Sequence, residues 1–99
     1  MINRISKNEN RLDNILVSIK NLEDALSNFQ ANKKDINLLN KYYGSESWFK
    51  DKKAYENNEI PKIKAGVLSE DAVWNMNENI NEILEEMKKI LKDYSTISW

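Results

Sequence analysis

The chain has 99 residues, 31% of them charged, with a formal net charge of −1. That length predicts one domain with a modest core. The absence of cysteine and histidine removes disulfides, thiolate metal sites, Ser–His and Cys–His pairs and the commonest general base. One proline and two glycines leave the sparse punctuation of a helical protein.

The first segment is heptadic. Ile5, Leu12, Ile19 and Leu26 recur every seven residues, and Ile15, Leu22 and Phe29 form a second seam that Asn8 interrupts. Leu16 broadens the stripe. This pattern predicts a helix from about residue 2 to 30, roughly 40 Å long. The start, Met1 to Lys7, alternates polar and apolar residues and lacks the apolar run of a signal peptide. A cytoplasmic location is expected, and no window has the length of a membrane span.

Ile36, Leu39, Tyr42 and Tyr43 have helical spacing over about 34–43, with no Gly or Pro to part this helix from the first. Gly44 fits a left-handed cap and Ser45 the N-cap of a short helix over about 46–57. Trp48, Phe49, Lys52 and Tyr55 are expected to share one face, and Asn57-Asn58 weakens the helix end. Residues 58–68 read as a loop, because Ile60-Pro61 requires extended backbone and Gly66 suits a turn.

The last helix is expected over about 70–94. Val73, Ile80, Met87 and Tyr94 form one seam; Met76, Ile83 and Ile90 form the other, widened by Leu84 and Leu91. Ser69 is a natural N-cap, and Leu68 and Val73 fall at the positions of a hydrophobic staple. Glu70 and Asp71 suit the positive end of the helix dipole, and Lys88, Lys89 and Lys92 the negative end. Glu85 and Lys89 stand at the spacing of a stabilising pair. The fold expected is all-α: two long antiparallel helices with one or two short helices between them, a small helical bundle over residues 1–99. Pairing of the same seams between two chains, giving a homodimer, is the alternative.

Tyr42-Tyr43-Gly44-Ser45 with Trp48 three residues further on, then Ile60-Pro61 and Gly66-Val67-Leu68-Ser69-Glu70-Asp71-Ala72-Val73, resemble a family of small bacterial proteins, domain of unknown function family 4298. The resemblance covers nearly the whole chain and stops before the tail, residues 95–99. It implies a short, mostly helical bacterial protein, and it brings no activity, cofactor or catalytic residue.

Ser69-Glu70-Asp71 could be a carboxylate pair for metal or acid–base work, but capping explains every residue type in it. Adjacent carboxylates on a helix also diverge by about 100°. The aromatic residues Tyr42, Tyr43, Trp48, Phe49, Tyr55 and Trp74 read first as a small core that locks the middle of the chain. Whichever of Tyr42, Tyr43, Trp48 and Trp74 stays exposed is the candidate anchor for a protein partner. Lys50, Lys52, Lys53, Lys62 and Lys64 form the only basic concentration, and Asp51, Glu56 and Glu59 dilute it. A nucleic-acid-binding module is thus the weaker reading. The gathered expectation is a non-enzymatic cytoplasmic protein, with no cofactor or metal. It would act through protein–protein interaction as an accessory, regulatory or immunity-type partner.

Overall fold

The computed structural model describes residues 1–99 and is all-α, without strands. Its helices are α1 (Ile2–Ala31), α2 (Lys33–Tyr42), α3 (Glu46–Glu56) and α4 (Ala72–Tyr94), with a 3-10 turn at Gly66–Leu68. The chain divides into two compact units, Met1–Asn37 and Leu38–Trp99. Each is described by itself.

The first unit holds α1 and the start of α2. Asn32 parts the two helices while keeping right-handed helical backbone, with φ −77° and ψ −8°. Its amide bonds back to Asn28 and Phe29, and its carbonyl accepts from Ile36. The junction is therefore a local disturbance of one helical path, as the lack of Gly and Pro predicts. None of the thirty residues of α1 is buried.

The second unit is built around a small core. Trp48, Leu68 and Val73 are its buried residues, at 4%, 9% and 2% exposure. They come from α3, the 3-10 turn and the first turn of α4, so the core sits where these three elements meet. The 3-10 turn packs on both helices. A reciprocal amide pair ties α2 to α4: Asn40 Nδ2 donates to Asn77 Oδ1 at 3.2 Å, and Asn77 Nδ2 donates to Asn40 Oδ1 at 2.9 Å.

The caps follow local chemistry. Gly44 has φ +75°, the left-handed conformation that ends α2 at low cost. Ser45 caps α3, its Oγ accepting from the Trp48 amide at 3.2 Å. The Ser69 hydroxyl accepts from the Ala72 amide at 3.1 Å. The regular bonds of α4 start only at Ala72, however, two residues later than expected, because Glu70 and Asp71 form a turn.

The end of α3 differs from expectation in a more instructive way. Asn58 has φ +58°; its amide donates to Tyr55 O at 3.2 Å, and the Glu59 amide donates to Ala54 O at 2.9 Å. This is a Schellman closure with asparagine in the usual glycine place. Asn57-Asn58 thus terminates the helix actively, since asparagine tolerates the left-handed region better than other side chains bearing a Cβ. A smaller correction concerns α4, where Glu85 pairs with Lys88 at 3.1 Å instead of Lys89.

Candidate functional site

The aromatic residues are distributed by helical geometry. Two adjacent residues on a helix point about 100° apart, so when one enters the core its neighbour turns away. Trp48 is 4% exposed and the next residue, Phe49, 61%; Val73 is 2% exposed and the next residue, Trp74, 61%. The face expected to unite Trp48 with Phe49 is thereby split.

Trp48 is the centre of the buried cluster. Its indole Nε1 donates to Val67 O at 2.9 Å, which satisfies the one polar atom the ring carries. Tyr43 meets the ring edge-on with centroids 5.3 Å apart, and Phe49 does so at 4.9 Å. Lys52 Nζ lies 5.3 Å from the Trp48 ring centroid. The same ammonium pairs with Glu70 at 3.1 Å and Glu56 at 3.8 Å. Lys52 is therefore a strut between α3 and the turn before α4. Lys62 also has a structural contact, 4.4 Å above the centroid of Tyr55, while the Tyr55 hydroxyl donates to Ile63 O at 3.3 Å.

The two tyrosines that precede Gly44 are half-buried and face different partners. The Tyr43 hydroxyl donates to Glu70 O, joining the end of α2 to the turn before α4. The Tyr42 hydroxyl donates to Asp51 Oδ2 at 2.6 Å. That hydrogen bond, with smaller contributions from burial and the Asp51 charge, pushes the Tyr42 phenol up to about 12. A phenol held protonated in this way is a donor, poorly suited to act as a base near neutral pH.

Of Tyr42, Tyr43, Trp48 and Trp74, only Trp74 keeps most of its surface in solvent. Trp48 is core. Phe49 joins Trp74 as a large exposed aromatic of this unit. The signal for it lies in the sequence: a residue beside a buried tryptophan on a short helix must face elsewhere. No group of three or more acidic side chains is placed to hold a metal ion. A shallow groove runs along α4, lined by Asn81, Leu84, Glu85, Met87, Lys88 and Leu91. No helix is long and apolar enough to cross a membrane.

These features define a small all-α protein with an aromatic core at the meeting of α3, the 3-10 turn and α4. The model of the family described as Domain of unknown function (DUF4298) matches residues 5–95, and the chain belongs to that family. The match includes Ser95, the first residue of the tail expected to lie outside it, and leaves out residues 96–99. Comparison with curated proteins and with solved structures gave no match.

Proposed function

We propose that this chain is a non-enzymatic protein of the bacterial cytoplasm that acts by binding another protein, in an accessory, regulatory or immunity-type role. The observation that carries the reading is Trp74. The residue is 61% exposed, yet the buried Val73 beside it, at 2% exposure, anchors the backbone. A large aromatic held on a rigid helix start loses little conformational freedom when it docks, which is the usual condition of an interface hot spot. Phe49, equally exposed and braced edge-on against Trp48, is a second rigid anchor. The polar groups nearby are mostly engaged with one another, with Lys52 on Glu70, Tyr42 on Asp51 and Tyr43 on Glu70 O. That supports recognition by surface more than chemistry on a substrate.

Affinity capture from the host organism tests this reading. The expected result is one stoichiometric protein partner, lost on Trp74→Ala. Capture that returns no partner, or a partner indifferent to Trp74→Ala and Phe49→Ala, overturns it.

A further inference from the structure

The apolar stripe of α1 lies in the first unit. Ile5, Leu12, Ile15, Leu16, Ile19, Leu22 and Leu26 are each between 44% and 58% exposed. We propose that this stripe is the contact surface for a second copy of the same chain, with the two α1 helices forming a parallel, in-register coiled coil. The proposal stands apart from the interaction surface described above.

The repeat length comes first. Apolar residues hold a strict seven-residue spacing along the whole helix, and an isolated straight helix drifts about 20° per heptad from such a pattern. A stripe kept in step over four heptads is therefore matched to a supercoiled helical partner. With Ile5, Leu12, Ile19 and Leu26 at the a positions, the d positions are Asn8, Ile15, Leu22 and Phe29.

Asn8 then decides orientation and register. In an antiparallel pair each d residue faces an a residue of the other helix, and every a residue here is apolar. Asn8 would face Ile or Leu, or lie beyond the overlap. In a parallel pair d faces d, and only the in-register alignment sets Asn8 against Asn8 of the second copy. A single polar residue on a seam can fix register, a device best attested for asparagine at an a position. Within its own helix, Asn8 donates to Arg4 O at 2.9 Å and accepts from Arg11 at 2.9 Å. One amide hydrogen and one lone pair remain for a partner across the seam.

Charge agrees. Arg4 occupies a g position and Glu9 the following e position, the two that meet between helices in a parallel pair. Two such contacts arise by symmetry. The antiparallel alignment with greatest overlap would instead bring Glu9 near Glu23 of the other copy, twice. The face is thus self-complementary in one orientation, as the interface of a two-fold dimer must be.

The chain has no cysteine, so single introduced thiols report geometry cleanly. Sedimentation equilibrium of the full chain is expected to show a dimer. Ile15→Cys, at a d position, is expected to oxidise to a disulfide-linked dimer, whereas a mixture of Ile15→Cys and Ile19→Cys chains should form few mixed crosslinks. Leu12→Asp should raise the dimer dissociation constant at least about tenfold, a change of about 1.4 kcal/mol. Asn8→Leu should keep a dimer but let mixed crosslinks appear. A protein monomeric at every concentration, a dimer indifferent to Leu12→Asp, a larger assembly, or preferential Ile15–Ile19 crosslinking in the unaltered Asn8 background would each overturn the proposal.

Discussion

At the scale of single residues, two conformational demands and one hydrogen bond carry most of the testable content. Gly44 and Asn58 both occupy the left-handed region, with φ +75° and +58°, but only the glycine is legible in the sequence as a helix stop. An Asn-Asn pair has too many roles to be read as a Schellman closure before the Ala54 and Tyr55 carbonyls are seen accepting. Because the side chain at position 58 must tolerate this backbone, Asn58→Val is expected to cost about 1–2 kcal/mol, read as a lowered denaturant midpoint with unchanged m-value. The phenol of Tyr42 gives a pH prediction. Its folded value, about 12, lies above the ordinary 10, so the unfolded chain loses this proton first. The contribution of Tyr42–Asp51 is fully present below about pH 10 and is lost as pH rises toward 12. Ultraviolet titration should show a tyrosinate step at about pH 12, and Asp51→Ala should move that step to lower pH. Absence of such a late step in the unaltered protein would contradict the hydrogen bond.

At the scale of elements, the cap of α3 is a local event legible in Ser45. Ser69, in contrast, stands at the end of the 3-10 turn, and the N-cap position of α4 falls to Asp71, which makes no side-chain cap bond. Ser45 and Ser69 accept from the third residue beyond each. The links between elements are different. Nothing in the sequence singles out Val67 O as the partner of the Trp48 indole, or Glu70 O as that of Tyr43, because both acceptors are backbone atoms identical in every residue. The Asn40–Asn77 pair is equally hidden, since asparagine on a helix reads as solvated surface. It is also the most direct test of how α2 meets α4. Asn40→Leu alone should destabilise by about 0.5–1 kcal/mol, and the double change with Asn77→Leu should cost less than the sum of the two single changes. Strict additivity in thermal or denaturant unfolding would mean that the two amides do not interact.

At the scale of the whole molecule, the all-α class and the family were readable from spacing and from the central motifs, while the use of each stripe was not. A heptad names a face; it does not name what covers that face. The aromatic excess of the centre divides by the same geometric rule at two places, Trp48 beside Phe49 and Val73 beside Trp74, with the first of each pair inside and the second outside. Under the role proposed for Trp74, that division assigns stability and recognition to different residues and makes the two separable by mutation. Trp48→Ala empties the core and is expected to cost about 3–5 kcal/mol, which would leave little of a domain this small folded. Trp74→Ala removes no buried side chain and should leave the melting temperature nearly unchanged. The most direct measurement is therefore a paired one: thermal unfolding and partner capture on the unaltered chain and on Trp74→Ala. An interaction protein anchored at Trp74 keeps its melting temperature and loses its partner. A variant that unfolds as Trp48→Ala does, or that binds as the unaltered chain does, would contradict the assignment.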